Sequence, residues 1–292
     1  MPPAPEVPSP ETLPPLREVI RRHGLDARRA LGQHFLLDLN LTRRIARAAG
    51  PLDGRTVLEI GPGPGGLTRA LLEAGASVVA IERDRRCLAA LAELAAAYPG
   101  RLRLVEGDAL EVDEAALIAG PVPVVANLPY NIATALLVKW LERLRLFDRL
   151  TLMFQKEVAD RLAAAPGGKS YGRLSVMTQW RAEVTCLFEI AAQAFTPPPK
   201  VRSTVVQITP RPAPLAPADA ASLSRVVAAA FGQRRKMLRT SLRGLGTKPE
   251  TLLATAQVSP TARAEELDIA AFCRLANALD RLSALSAPRA DA

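Results

Sequence analysis

The chain has 292 residues, 49% of them hydrophobic, and carries a formal net charge of +9 with a sequence pI of about 10.1. That is enough apolar material for one large domain plus a smaller one, and no apolar run approaches the roughly 18 residues of a membrane span, so a membrane-spanning helix is excluded. The positive balance favours a polyanionic partner, the 4% aromatic content argues against a broad stacking platform for single strands, and three scattered cysteines (Cys87, Cys186, Cys273) give neither a metal-ligand spacing nor an even disulfide set, which fits a reducing cytoplasm.

Residues 1–15, MPPAPEVPSPETLPP, are proline-rich without an apolar core. They read as a disordered tail and not as a secretory signal. Leu16 to His23 can form a short helix. Arg17, Arg21, Arg22, Arg28 and Arg29 make this region basic, either as a solvated face or as a contact to phosphate. LGQHFLLD follows, and Asp38 or Asn40 can cap a helix over LTRRIARAAG that ends at Gly50.

VLEIGPGPGGLT, Val57 to Thr68, organises the rest. Val57, Leu58 and Ile60 read as a buried parallel strand interrupted by Glu59. Gly61, Gly63, Gly65 and Gly66 then permit a sharp turn and a close backbone approach, and Leu67, Ala70, Leu71 and Leu72 open a helix. Gly61, Gly63 and Gly66 satisfy G-x-G-x-x-G, and Glu82 ends the next strand, SVVAIE, about 20 residues on, where an acid takes ribose hydroxyls. Taken alone, this fits NAD. RCLAALAELAAAY is the next helix, RLRLVEGD a strand that ends near Asp108, and PVPVVANL a strand that ends at Asn127. ATALLVKWLERL is helical, and RLTLMFQ, VTCLFEI and STVVQITP supply further strands. Alternating strands and helices imply a doubly wound α/β domain with a parallel sheet. Gly61, Glu82, Asp108 and Asn127 all fall at strand ends, where ligands of such sheets bind.

After Pro210, RPAPLAPADAA reads as a linker. Residues from about 218 to 285 have helical periodicity without strand signals. In SLSRVVAAAFGQRRKMLRTSLRGL, Val227, Phe231, Leu238 and Leu242 share an apolar face. Arg235, Arg239 and Arg243 recur every fourth residue beside it, and no acid interrupts Arg234 to Arg243. A phosphate-binding role, including Arg234 and Lys236, is the stronger reading of that stripe than a solvated face.

Two motifs separate the nucleotide alternatives. Glu59 opens E-x-G-x-G-x-G, which resembles motif I of class I methyltransferases that bind S-adenosylmethionine. Asn127-Leu128-Pro129-Tyr130 resembles the NLPY-type motif of enzymes that methylate exocyclic amines of nucleobases. With LGQHFLLD, IERD, EGDAL, FTPPPKVRS and FGQRRKML, the span from about Arg29 to Ala284 resembles the bacterial 16S rRNA adenine N6,N6-dimethyltransferases.

The resemblance implies a Rossmann-like class I methyltransferase domain over 30–211, a tail over 1–29, and a small helical domain that binds RNA or the ribosome over 212–292. It implies S-adenosylmethionine as cofactor, held by His34, Leu36, Gly61, Gly63, Glu82, Asp108 and Asn127, with His34 standing where asparagine is usual. It implies two adjacent adenines of 16S rRNA in the immature small subunit as substrate, a cytoplasmic monomer, no metal and no membrane. Asn127 and the Leu128 carbonyl would accept from the target amine, Pro129 would stiffen that geometry, and Tyr130 would stack on the base. Phe195 is a second candidate stacking face, with core packing as its alternative. A 23S rRNA methyltransferase and an assembly factor that acts through binding are the competing readings.

Overall fold

The computed structural model describes residues 9–27 and 32–286. Arg28, Arg29, Leu31 and the first eight residues of the tail lie outside the described residues. In chain order the elements are α1 (Leu16–Arg22), β1 (Phe35–Leu36), α2 (Leu39–Ala48), β2 (Thr56–Ile60), α3 (Gly66–Glu73), β3 (Ser77–Glu82), α4 (Arg85–Ala97), β4 (Leu102–Glu106), β5 (Val122–Ala126), α5 (Tyr130–Leu141), β6 (Phe147–Gln155), α6 (Lys156–Leu162), α7 (Arg173–Arg181), β7 (Ala182–Ile190), β8 (Phe195–Thr196), β9 (Ser203–Pro210), α8 (Ala220–Gly232), α9 (Leu238–Ser241), α10 (Pro249–Thr255) and α11 (Ile269–Ser286).

Seven strands form one sheet in the order β4-β3-β2-β5-β6-β9-β7, and β1 pairs separately with β8. The pairs β2/β3, β3/β4, β2/β5 and β5/β6 are parallel, and β9 runs antiparallel to β6. The chain reverses its winding direction between β2 and β5, which is the switch point at which such sheets bind ligands. Register aligns the carboxyl ends: Ile60 pairs with Ile81, and Glu82 with Glu106. Gly61, Glu82, Asp108 and Asn127 therefore emerge along one edge.

Val57, Leu58 and Ile60 are 0–2% exposed, because helices cover both faces of a parallel sheet. Burial of each such side chain contributes roughly 1.5–3 kcal/mol. Asp38 is the residue that caps α2; its carboxylate accepts from Asn40 N at 2.8 Å.

The chain divides into two units. The first holds the residues up to Ala159 together with Thr185–Pro210, and the second holds Asp160–Val184 and the chain from Arg211 on. The helical domain expected over 212–292 therefore recruits an earlier segment. Tyr171, Val176 and Trp180 share one buried cluster with Leu223, Val227, Leu238, Phe272 and Leu275. That segment shows little periodicity, and only its partners make it a core element.

Three further expectations change. The end of the tail is docked: Leu13 packs against the buried cluster of the sheet unit, and Arg69 donates to Pro14 O at 2.7 Å. The stretch over 211–219 is anchored and not a free linker, since Leu215 N donates to Trp180 O and Trp180 Nε1 to Ala216 O, both at 2.8 Å. The helical periodicity read through SLSRVVAAAFGQRRKMLRTSLRGL is broken in the structure. Gly232 ends α8, Met237 forms a bridge with Arg263, and the helix restarts at Leu238. Val227, Leu238 and Leu242 are still buried together, whereas Arg235 and Arg239 do not lie on one continuous helix face. Among the described residues no helix is long and apolar enough to cross a membrane, and no His/Cys/Asp/Glu group could hold a metal ion.

Candidate cofactor and acceptor site

A cavity at the carboxyl edge of the sheet is lined by the glycine turn after β2, the ends of β3 and β4, the tetrapeptide after β5 and the segment 32–36. His34, Leu36, Gly61, Gly63, Glu82, Asp108, Asn127, Leu128, Pro129 and Tyr130 all line it. The cofactor and acceptor residues named from the sequence, Phe195 excepted, are thus brought to one place.

The glycines make room for protein as well as for ligand. Gly63 has φ +56°, and a Cβ there would stand 3.0 Å from the Phe35 ring; at Gly66 it would stand 2.7 Å from Leu36 O. The turn is therefore roofed by β1, and a larger residue at either position would push that roof away.

Glu82 is 7% exposed and held by three main-chain donors. Its Oε2 accepts from Gly63 N at 3.0 Å, and its Oε1 accepts from Arg83 N and Asp84 N, both at 2.8 Å. Burial raises its pKa, and these hydrogen bonds oppose the rise. The carboxylate braces the glycine turn, and its remaining lone pairs face the cavity as acceptors for hydroxyls.

Asp108 stands beyond β4. Its Oδ1 accepts from Leu110 N at 2.9 Å, and its Oδ2 accepts from Arg83 Nη1 at 2.8 Å. The loop that carries it is tied to α5: Lys139 Nζ donates to Ala109 O, Val112 O and the fully buried Glu114 Oε1 at 2.8, 2.6 and 2.8 Å. Trp140 Nε1 donates to the same oxygen at 2.8 Å. Sequence reading missed both tethers, because neither Arg83 nor Lys139 sits in a spacing that signals its partner.

Glu59 also lines the cavity and is 1% exposed. Burial pushes its carboxyl up to about 8, opposed by the Thr68 hydroxyl, while the Glu82 charge adds to the rise. Glu59 Oε2 has no hydrogen-bond partner. Only its place before the first glycine marked it in the sequence; the upward shift of its carboxyl follows from burial.

The acceptor side is built from residues far apart in sequence. Asn127 Nδ2 donates to His34 O at 3.1 Å. A main-chain carbonyl can only accept, so the amide must turn its NH₂ group there and leave Oδ1 as an acceptor for another donor. Pro129 caps α5 with φ −58°. Tyr130 Oη is hydrogen-bonded to Ser203 Oγ at 2.5 Å, which holds the ring from its far end, and burial raises the phenol pKa. Ser203 is the last residue of FTPPPKVRS and is fully buried.

His34 lines the cavity as expected of its segment, whereas Phe195 differs from expectation. The His34 ring stands 5.4 Å from that of Tyr130, and Nδ1 lies 2.7 Å from Pro197 O. Phe195 is not an open stacking face. It is 2% exposed, opposes Leu36 in the β1/β8 ladder, and packs in the core with Ile190 and Val205. The ladder faces the sheet's apolar surface, so the ring is drawn inward.

In the helical unit, Arg235, Lys236, Arg239 and Arg243 are exposed, and their side chains make no ion pair among the described residues. Arg234 differs: its Nε donates to Glu265 Oε2 at 2.6 Å and its Nη2 to Gly168 O at 3.1 Å. Its charge is thus already paired within the helical unit, unlike those of its neighbours.

Residues 24–281 match the family described as Ribosomal RNA adenine dimethylase. The Ribosomal RNA small subunit methyltransferase A of Rhodospirillum rubrum is 65% identical over 269 residues, which is 92% of this chain and 93% of that protein. Among solved structures, a dimethyladenosine transferase from Plasmodium falciparum superposes with a TM-score of 0.71 at 25% identity, over 86% of this chain and 98% of its own. The 23S rRNA methyltransferase ErmE reaches 0.64 at 27% identity, over 84% and 99%.

Proposed function

This chain belongs to the ribosomal RNA adenine dimethylase family, and from that premise we propose that it dimethylates the N6 amines of two adjacent adenosines near the 3′ end of 16S rRNA with S-adenosylmethionine. The immature small subunit in the cytoplasm is the proposed setting, with the enzyme acting as a monomer. Its domains are the sheet unit for chemistry and the helical unit for RNA or ribosome contact.

The residues present fit the cofactor. The glycine turn lines the cavity with side-chain-free backbone, Glu82 presents a braced carboxylate at the end of β3, and Asp108 presents another beyond β4. Glu82 would hold the ribose hydroxyls, Asp108 the adenine amine, and Gly61 and Gly63 the methionine portion. When bound, S-adenosylmethionine supplies an electrophilic methyl group.

The observation that carries the reading is the oriented amide of Asn127. An adenine N6 amine is a weak nucleophile, because its lone pair is delocalised into the ring. An acceptor on an amine hydrogen favours a pyramidal nitrogen and gains strength as positive charge develops there, so it acts on the chemical step. Asn127 Oδ1 is free for that role because His34 O takes the NH₂ group. The Leu128 carbonyl is the proposed second acceptor. Tyr130, held by Ser203, offers a fixed face to a base turned out of the RNA.

The 23S reading and the assembly-factor reading have less support, since the small-subunit relative is much more similar than ErmE and the amide is arranged for chemistry. The test is to incubate the protein with labelled S-adenosylmethionine and immature small subunits and to map the modified nucleotides. Label at two adjacent adenines of 16S rRNA is expected; label in 23S rRNA alone, or none, would overturn the proposal.

A further inference from the structure

Asp108 sits on a loop with no strand or helix of its own to hold it, yet α5 grips that loop from outside. The loop turns back on itself: Glu111 N and Val112 N both donate to Asp108 O at 2.9 Å, and Leu110 N donates to the Asp108 carboxylate at 2.9 Å. Lys139 Nζ closes this turn, donating to Ala109 O at 2.8 Å, Val112 O at 2.6 Å and Glu114 Oε1 at 2.8 Å. An ammonium has three protons, so every donor of this side chain is spent on one loop. Glu114 is fully buried and accepts from Trp140 Nε1 on the same oxygen at 2.8 Å. Asp108 and Ala109 both line the cavity. The helix begins at Tyr130 with Pro129 as its cap, and Lys139 lies roughly 14 Å further along its axis. The element that presents the acceptor tetrapeptide therefore also holds the turn that carries Asp108.

We infer that Lys139 is a positioning residue for recognition of the cofactor's adenine: by pinning the carbonyls of Ala109 and Val112, which bracket the turn after Asp108, it holds the carboxylate where it tells an exocyclic amine from a carbonyl oxygen. Filling the buried space needs no ammonium, since an apolar pair of similar volume serves as well as a buried ion pair. What an apolar pair lacks is donors for Ala109 O and Val112 O, and those two bonds set where the turn stands. A carboxylate only accepts. Held in place, it attracts the amine of an adenine ring and repels the oxygen of a hypoxanthine ring; released, it turns to solvent and does neither. Arg83 also donates to Asp108, at 2.8 Å, but its own side chain is 68% exposed, so it follows the carboxylate and does not fix it.

The inference rests on the proposed place of Asp108 at the adenine amine, and the experiment separates the two. Wild type, Asp108→Asn, Lys139→Met and the double variant Lys139→Met/Glu114→Leu are unfolded in urea and titrated by calorimetry with S-adenosylhomocysteine and with S-inosylhomocysteine, which carries a carbonyl oxygen in place of the amine. Wild type should prefer the adenosyl compound by about 10²-fold or more, and Asp108→Asn should lower that preference about tenfold. Lys139→Met should lower it by a similar factor, mainly through weaker binding of the adenosyl compound. The double variant removes the buried carboxylate along with its counter-ion and regains most of the stability. It still leaves Ala109 O and Val112 O without the ammonium, so its preference should stay low; it gives the same reading if Lys139→Met does not fold. A preference that returns with stability in the double variant would overturn the inference, as would a preference unchanged in Lys139→Met. A wild type that does not distinguish the two compounds, or an Asp108→Asn variant that distinguishes them equally well, would overturn the proposed role of Asp108 instead.

Discussion

Replacing Glu59 by glutamine should make the protein more stable at neutral pH. The carboxyl is 1% exposed, Oε2 lacks a partner, and Glu82 lies close enough to oppose a second negative charge. Its pKa rises from 4.5 to about 8, with burial the largest cause. A raised carboxyl binds its proton more tightly in the folded state, so its stabilisation is fully present below about pH 4.5 and is lost as pH rises toward 8. Each pH unit in that window corresponds to about 1.4 kcal/mol, so the loss is about 3 kcal/mol at pH 7 and about 5 kcal/mol at the upper end, both upper bounds. Glutamine has the shape of the neutral acid and does not titrate. Urea denaturation of both proteins from about pH 5 to 8.5 should show curves that coincide at the acid end and diverge above it, with the variant the more stable. Parallel profiles, or a wild type that gains stability relative to the variant as pH rises, would refute a neutral buried carboxyl.

Asn127→Ala should lower methyl transfer roughly 10²–10³-fold with a much smaller change in cofactor affinity, and dimethyladenine should vanish before monomethyladenine by mass spectrometry. Glu82→Ala should weaken cofactor binding in calorimetry and also destabilise the fold by roughly 2–5 kcal/mol, because the N–H groups of Gly63, Arg83 and Asp84 lose their acceptor. Replacing Arg235, Arg239 and Arg243 together by Ala should flatten the salt dependence of RNA binding by roughly 2–3 units, whereas Arg234→Ala should leave the slope alone and cost up to roughly 1 kcal/mol of stability. Lys139→Met leaves the buried carboxylate of Glu114 with only Trp140 Nε1 and a 3.9 Å contact to Arg143, and should cost up to roughly 3–5 kcal/mol in denaturation, most of which the double variant with Glu114→Leu should recover.

What the sequence determined by itself was whatever short-range chemistry controls. Val57 to Ile60 are apolar in a run and end in glycines, so a buried strand and a tight turn follow without reference to any partner. The same reasoning carried from strand to strand set Gly61, Glu82, Asp108 and Asn127 at carboxyl ends, and the parallel register then brought them together. The motif resemblance added the identity of the nucleotide, which glycine spacing alone left open between NAD and S-adenosylmethionine.

Tertiary structure decided whatever depends on a partner distant along the chain. Phe195 and Tyr130 are both aromatic residues in recognisable motifs; one is sealed in the core by Leu36, while the other lines the cavity with its hydroxyl held by Ser203. Arg234 and Arg235 are adjacent and identical in type, and only the position of Glu265 gives one of them an internal ion pair. The break after Gly232 depends on Met237 meeting Arg263, and the helical role of 160–184 depends on the apolar faces it packs against. His34 shows the limit most plainly: its partners are Pro197, Tyr130 and Asn127, and no local propensity encodes contacts of that range. Local preferences amount to tenths of a kcal/mol per residue, whereas a buried side chain or an orphaned polar group is worth one or more, so long-range packing overrides them wherever the two disagree.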